Sequence, residues 1–315
     1  MTAAAPTLAA PLSEPPTQLA RGIAVGLAAA LIGALYVVFA RWGIERGATA
    51  PDLTALRFGV AGLILLPFLV WRIARDRDAI LAQWRVWLAV SALAGTPFGL
   101  MMFGALQFAP ASHAAVFPFA AMSIMGMVMA ALVLGDRITA RKATGIAVVL
   151  GGLILISGVD AASFTARGLL GDGMFIAAGT IWAGFGILLR RHRLDPVLAT
   201  AVIAVSALLT YVPVYLWQLG FASLGALPVN VLLVEVVVQG VIAGTGTLFT
   251  YAKMVAILGP SRASIFPALA PGLAALVAWP VLGTVPGVAE LTGLLAVIAG
   301  LIWAVTPPRK GVTAR

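Results

Sequence analysis

The chain has 315 residues, of which 62% are hydrophobic and 10% charged, and its formal net charge is +9. A soluble domain of this length cannot bury so many apolar side chains, so the composition excludes a water-soluble globular protein and predicts an all-α integral membrane protein. The chain contains no cysteine, which excludes disulfides, iron–sulfur clusters and thiolate metal sites.

The two ends of the chain are predicted to be tails. Residues 1–19 contain four prolines among small and polar residues. Because no basic segment there precedes an unbroken apolar stretch, we predict a disordered cytoplasmic tail rather than a signal peptide. Residues 307–315 include Arg309, Lys310 and Arg315 and form a second, basic cytoplasmic tail.

Ten apolar segments lie between the tails. They occupy residues 21–42, 53–73, 85–108, 111–134, 143–159, 170–189, 196–218, 230–257, 261–283 and 288–306. Each approaches the roughly 20 residues that a helix needs to cross a hydrocarbon core of roughly 30 Å. We therefore predict ten transmembrane helices.

The two halves of the chain have similar sequences. A shift of 149 positions places Gly95-Thr96 on Gly244-Thr245 and Phe117-Pro118 on Phe266-Pro267. After a one-residue slip, the glycines of the fifth helix coincide with those of the tenth. We predict two five-helix repeats, residues 20–159 and 168–306. Since five is odd, the second repeat enters the membrane from the opposite side, an inverted topology typical of secondary transporters with a central cavity.

The basic residues indicate the orientation. Most fall in loops on the side of the N-terminus: Arg21, Arg72, Arg75, Arg77, Arg85, Arg137, Arg141, Lys142, Arg190, Arg191, Arg193, Arg262, Arg309, Lys310 and Arg315. Opposite loops hold Arg41, Arg46 and Arg167. This positive-inside bias predicts a multi-pass protein of the cytoplasmic (inner) membrane with both termini cytoplasmic, and it argues against nucleic-acid binding.

The third and eighth helices each carry a Gly-Thr pair, with Thr96 in the first copy and Thr245 in the second. Along the eighth helix, Gly240, Gly244, Thr247 and Tyr251 recur at α-helical spacing and are predicted to share one face. Such a stripe is a seam between helices or the wall of a polar site. Both interpretations remain open.

A proline follows a phenylalanine in the fourth and ninth helices, at Phe117-Pro118 and Phe266-Pro267. Proline cannot donate to the helical ladder, so Pro118 and Pro267 predict a break at equivalent places in both repeats. Broken helices line cavities in membrane proteins, although a packed kink is the alternative.

Aromatic residues with a polar group occur far from the predicted helix ends, at Tyr36 in the first helix, Trp182 in the sixth and Tyr251 in the eighth. Residues of this type form belts at membrane interfaces. At mid-membrane depth they also suit a pocket for an amphipathic or aromatic solute.

Few titratable groups are predicted near the pathway. His113 begins the fourth helix and is either a cap or a group that titrates during transport. Glu235 and Glu290 are predicted within about two turns of a helix end, where water reaches them. Arg57 and Lys253 are predicted to snorkel to the interface.

The sequence lacks a Walker-type glycine loop and any cluster of catalytic residues. We therefore predict neither an enzyme nor an ATP-driven pump, and no cofactor and no metal.

With a proline in helices four and nine, a turn at Leu134-Gly135-Asp136 and glycine-rich fifth and tenth helices, the chain resembles the drug/metabolite transporter superfamily over about residues 20–306. Within it the chain is similar to EamA-type transporters and to YddG-like aromatic amino acid exporters. The acid of the first turn is replaced by Thr284 in the second copy. The resemblance implies that helices 1, 3, 4, 6, 8 and 9 surround the cavity, while 2, 5, 7 and 10 are peripheral.

The substrate-binding residues that the resemblance implies are Tyr36, Thr96, Phe117, Trp182, Thr245, Tyr251 and Phe266. The expected function is export of aromatic or large neutral amino acids, or related metabolites, by alternating access without ion coupling. The expected partners are the amino-acid-like solute and membrane lipid; the sequence is compatible with a monomer and leaves the oligomeric state open. The alternatives are a proton-coupled multidrug exporter and a non-transporting scaffold or receptor.

Overall fold

The computed structural model describes residues 16–105, 108–109, 111–159 and 164–306. The predicted tails lie outside these ranges, except for residues 16–19, which belong to the first helix. All regular structure within the described ranges is helical.

Ten segments of the described residues are long and apolar enough to cross a bilayer, which confirms the predicted fold class. We label them α1 to α10. Their bounds are α1 (Pro16–Ile44), α2 (Ala50–Ala82), α3 (Trp84–Ala94 and Thr96–Ala105), α4 (Ala111–Ala114 and Phe117–Leu134), α5 (Ala140–Ser157), α6 (Gly168–Arg191), α7 (Pro196–Leu219), α8 (Val229–Leu258), α9 (Pro260–Leu282) and α10 (Val288–Val305). A short helix, Ala222–Gly225, lies between α7 and α8. We call the membrane side where α1 begins the near side, and the side where it ends the far side.

Two equivalent glycines end the fourth helix of each repeat. Gly135 follows α4 and Gly283 follows α9, with φ angles of 72° and 73°. This left-handed conformation terminates a helix at little cost for glycine alone. The repeated Leu-Gly pair in the sequence is therefore a helix stop.

The two repeats pack against each other through a reciprocal glycine seam between α5 and α10. Gly145 faces the Gly300 carbonyl and Gly300 faces the Gly145 carbonyl, while Gly152 and Gly293 face each other in the same way. A Cβ placed on Gly152 would lie 2.6 Å from the Gly293 carbonyl oxygen. Only glycine permits this approach, which brings the two backbones into van der Waals contact.

The other main contacts follow the same pseudo-two-fold relation. α1 packs on α8 and α9 of the second repeat, and α6 packs on α3 and α4 of the first. Gly22 of α1 lies against Leu258 at the end of α8, and Gly171 of α6 lies against Ala109 just beyond α3. These two contacts are related by the 149-residue shift. The inverted repeat is therefore present in the packing as well as in the sequence.

Irregular backbone occurs at equivalent places in both repeats, in two pairs of helices. α3 is interrupted at Gly95, and its counterpart α8 contains a wide π-helical section, Val236–Thr245. α4 restarts at Phe117, and its counterpart α9 contains a 3₁₀ turn, Phe266–Leu269. Backbone of this kind is tolerated at membrane depth where protein or a cavity surrounds it.

The wide section of α8 corrects one prediction. Gly240 and Gly244 lie against Val60 and Ala61 of α2, so they belong to a packing seam. Thr247 and Tyr251 instead line a cavity. The single face predicted for these four residues assumed a regular α-helix, and the wider turns rotate the later residues away from the seam.

Candidate functional site

A cavity of ≈ 60 Å³ lies in the middle of the bundle between the two repeats. Its walls come from α1, α2, α3, α4, α6, α8 and α9. These are the helices that the resemblance placed around the centre, with α2 in addition. The volume holds a few water molecules and is well below the 300–1,000 Å³ typical of pockets for organic ligands. The cavity must widen to admit an organic solute of ordinary size.

One wall of the cavity is an aromatic cluster of Phe98, Trp182, Phe185 and Tyr251. The ring of Trp182 lies 4.6 Å from that of Phe98 and 5.0 Å from that of Tyr251, measured between centroids. Phe185 lies behind them, 5.6 Å from Trp182 and 5.8 Å from Tyr251. The four rings come from α3, α6 and α8, so they join the two repeats.

Two polar atoms of this wall have no hydrogen-bond partner among the described residues. They are the indole Nε1 of Trp182 and the hydroxyl of Tyr251, and both are buried. The hydroxyl of Thr247, which also lines the cavity, is unpartnered in the same sense. Because an unmade hydrogen bond in an apolar interior is costly, these groups are ready donors for a ligand that enters the cavity.

The cavity wall also carries a buried cation that the sequence analysis placed at the interface. Arg57 of α2 is 7% exposed, and its guanidinium carbon lies 4.6 Å from the ring centroid of Tyr36 on α1. The prediction that Arg57 snorkels is wrong, because the side chain is buried beside Tyr36 of α1 and borders a pocket that Leu248 of α8 also lines. A single charge within the apolar run of α2 was the signal that could have identified this residue.

The other predicted binding residues lie outside the cavity wall. The Thr245 hydroxyl donates to the Val241 carbonyl of its own helix. Thr96 lies at the break in α3, with a buried hydroxyl that has no partner among the described residues. Phe117 packs against His113 at 5.3 Å between ring centroids, and Phe266 packs against Gly26.

The two prolines follow equivalent breaks but have different neighbours. Pro267 lines the cavity. Pro118 lies outside its wall, and its carbonyl meets Gly179 of α6. In both helices the chain passes through a tight turn before the proline, with a bond from the Val116 N–H to the His113 carbonyl (3.1 Å) and from the Ile265 N–H to the Arg262 carbonyl (3.3 Å).

His113 is part of a buried pair rather than a simple helix cap. Its Nδ1 lies 2.6 Å from Oδ1 of Asp172 on α6, and the imidazole is fully buried between Phe117 and Phe164. The sequence analysis found no cluster of catalytic residues and did not select Asp172. The two residues are 59 positions apart and belong to different repeats, so only the tertiary structure brings them together.

A comparison with protein families identifies the family to which the chain belongs. The sequence profile described as the EamA-like transporter family matches residues 20–158 and 169–306, one match for each five-helix unit. The chain belongs to the EamA-like transporter family. It is a multi-pass membrane transporter of small molecules and not an enzyme, as the sequence predicted.

A solved structure supports the fold of this EamA-family transporter. A crystal structure described only as that of a protein aligns with a TM-score of 0.71 and 20% sequence identity, covering 90% of this chain and 96% of that chain. No curated protein sequence matches the transporter.

In this EamA-family transporter, Glu235 lies deeper than its position in α8 predicted. It is fully buried against Gly43 of α1, and neither carboxylate oxygen has a hydrogen-bond partner among the described residues. One turn further, Gln239 donates to the Tyr36 carbonyl at 2.9 Å. The prediction that water reaches Glu235 is wrong, because α1 covers the far end of α8.

Glycine contacts close the groove between α1 and the second repeat on both sides of the cavity. On the near side, Gly26 lies against the Phe266 ring, one turn before the first cavity residue of α1. On the far side, Gly43 lies against Glu235. The cavity therefore lies between two tight contacts of one helix.

Proposed function

We propose that this EamA-family transporter exports aromatic and other large neutral amino acids across the cytoplasmic membrane by alternating access. The observation that carries the proposal is the aromatic wall of the central cavity with its unpartnered indole and hydroxyl donors. Flat rings bind aromatic side chains, and the donors bind polar groups of the same solute. The resemblance to YddG-like exporters agrees with this substrate class.

The proposed binding set is smaller than the one the sequence implied. Tyr36, Trp182 and Tyr251 line the cavity and are proposed to contact the solute, with Thr247 in place of Thr245. Phe117 and Phe266 are proposed to support the breaks in α4 and α9, since each packs beside one of them.

Alternating access is proposed to separate the two contacts of α1 in turn. Gly26 would leave Phe266 to open the near side, and Gly43 would leave Glu235 to open the far side. The breaks before Pro118 and Pro267 supply hinges, because a helix lacking regular ladder bonds bends more easily. Both termini are proposed to be cytoplasmic, which makes the near side the cytoplasmic one.

Uptake of radiolabelled phenylalanine into proteoliposomes tests the proposal. Trp182→Ala is expected to lower uptake at least tenfold, because it removes the centre of the aromatic wall. The matched control is Trp217→Ala on α7, since Trp217 is 85% exposed and faces away from the cavity. No uptake of any amino acid by the unmodified protein would favour a scaffold or receptor.

A proton-coupled exporter is the second candidate, and the burial of Glu235 favours it. A fully buried carboxylate without a partner is strongly disfavoured in the ionised form, so its protonation would couple to any motion that exposes it. At the far end of α1, Arg41 and Glu45 pair with each other, with 3.0 Å between the Arg41 Nε and the Glu45 Oε1.

The two mechanisms differ in their response to a pH gradient. If transport is uncoupled, an imposed gradient leaves the initial rate unchanged. If Glu235 couples transport to protons, the gradient drives accumulation, and Glu235→Gln abolishes it. Glu290→Gln is the matched control, because Glu290 caps the start of α10 by accepting from the Gly287 N–H at 2.7 Å.

A further inference from the structure

We propose that Arg57 binds the carboxylate of the transported solute and that the cavity has no matching group for its ammonium. The proposal rests on the proposed function, and it defines the substrate class further: amphipathic monocarboxylates, with amino acids as one kind. Deaminated analogues of aromatic amino acids would then bind, whereas the corresponding amines would not.

Arg57 lacks a counter-charge among the described residues. The ion pairs among the described residues are Arg41–Glu45, Arg72–Asp76 and His113–Asp172, and none includes Arg57. A buried cation without an anion is unfavourable, and an ionisable residue within a membrane span typically marks a substrate or ion pathway.

The geometry of the Arg57 guanidinium also favours a carboxylate ligand. The guanidinium carbon lies 4.6 Å from the centroid of the Tyr36 ring. A guanidinium carries five N–H donors, and Tyr36 can use only some of them, so donors remain for a ligand. A fork of this kind fits a carboxylate through two parallel hydrogen bonds.

Arg57 shares its cavity with the aromatic cluster. Arg57, Phe98 and Trp182 all line the same cavity. A solute with both a carboxylate and an aromatic ring could therefore contact Arg57 and the aromatic cluster at once. Arg57 also borders a smaller pocket together with Tyr36 and Phe98, so its immediate surroundings are aromatic on more than one side.

The described part of the cavity wall lacks an acidic side chain. The described residues that line the cavity include one charged side chain, Arg57, and no aspartate or glutamate. An ammonium group would gain no ion pair there, and it would meet the like charge of Arg57. The wall therefore selects for a carboxylate and is indifferent or hostile to an amine.

A competition series on the unmodified protein tests the charge preference. Uptake of labelled phenylalanine is measured with an excess of 3-phenylpropionate, which keeps the carboxylate, or of phenethylamine, which keeps the ammonium. We expect strong competition by the acid and none by the amine. Equal competition by both, or stronger competition by the amine, would overturn the proposal.

Ligand-induced thermal stabilisation tests the residue independently of flux. With 3-phenylpropionate, Arg57→Gln is expected to bind roughly 10- to 100-fold more weakly than the unmodified protein, the range for loss of a charged hydrogen bond. Arg57→Lys should restore part of the affinity. The matched control is Arg75→Gln, since Arg75 lies on the same helix over the Trp71 ring but is exposed.

The two readouts separate the two proposals. If no amino acid is transported but 3-phenylpropionate still stabilises the protein through Arg57, export of amino acids fails and the carboxylate site stands. If phenylalanine is transported and Arg57→Gln binds 3-phenylpropionate as tightly as the unmodified protein, the carboxylate site fails. Should Arg57→Gln not fold, the competition series alone decides.

Discussion

The seam between α5 and α10 and the central cavity lie on the same pseudo-two-fold axis. The residues of the seam obey this symmetry, whereas those of the cavity do not. Across the seam, glycine faces glycine in both halves, so the repeats keep the same residues at related positions. In the cavity, the 149-residue shift relates Arg57 to Ser206 and Trp182 to Gly33. Packing of two equal halves favours equal residues, whereas an asymmetric solute needs a wall that differs from one half to the other.

The seam should be the part that tolerates change least. In Gly152→Leu the new side chain meets the Gly293 carbonyl and Val297 of α10, and we expect a loss of about 3 kcal/mol or more, enough to prevent recovery of folded protein. Thermal unfolding of the detergent-solubilised protein measures it. Gly151→Leu is the control, because a Cβ at Gly151 meets no atom within 4 Å. Equal stability of both variants would remove the seam from this role.

The His113–Asp172 pair should be the next largest contributor, since it is a polar contact between repeats without a symmetric copy. The 149-residue shift relates Asp172 to Ile23. Replacement of His113 by alanine leaves the Asp172 carboxylate buried without this partner, and we expect a loss of about 3 kcal/mol. A double-mutant cycle with Asp172→Asn measures the coupling, which should exceed about 1 kcal/mol. Additive losses would mean that the two side chains act separately.

The prolines test whether the breaks serve motion or packing. We expect Pro267→Ala to lower transport several-fold, because Pro267 lines the cavity, and Pro118→Ala to lower it less. Alanine supplies an N–H that the helical ladder can use, so stability should stay level or rise. Initial rates are compared with melting temperatures for both variants. Unchanged rates in both would assign the prolines to packing alone.

The smallest effect is expected where the seam reaches the near side. There the Trp303 indole donates to the Thr144 hydroxyl at 3.0 Å, in an exposed contact between α10 and α5. We expect Thr144→Ala to cost less than about 1 kcal/mol, the range for one hydrogen bond in contact with solvent. A larger loss of thermal stability would show that the seam depends on side chains as well as on backbone contact.

Much of the fold could be predicted from the sequence, because apolar length, loop charges and the repeat report on each helix separately. The Leu134-Gly135 pair predicted a turn at the end of a helix, and Gly135 provides it. The site was less predictable. The burial of Arg57 depends on its contacts with α1 and α8. No pattern in the sequence of either helix predicts that burial.

The same limit applies to Glu235 and to the face of α8. The depth of Glu235 is set by Gly43, a residue about 190 positions earlier in the chain, so hydropathy along α8 could not reveal it. The rotation of Thr247 relative to Gly244 comes from the π-helical section, whose wide turns have no simple sequence signature. Tyr36, Trp182 and Tyr251 could be selected as cavity residues because amphipathic rings far from helix ends are unusual.

The reciprocal packing has a consequence for the unit that folds. The most extensive helix contacts, α5 with α10, α4 with α6, α2 with α7, and α1 with α8 and α9, all cross from one repeat to the other. A five-helix half therefore has little interior of its own and presents its packing faces outward. A protein with a single such repeat would acquire a core only by pairing with a second copy of itself in the opposite membrane orientation. In this chain the two copies are covalently joined.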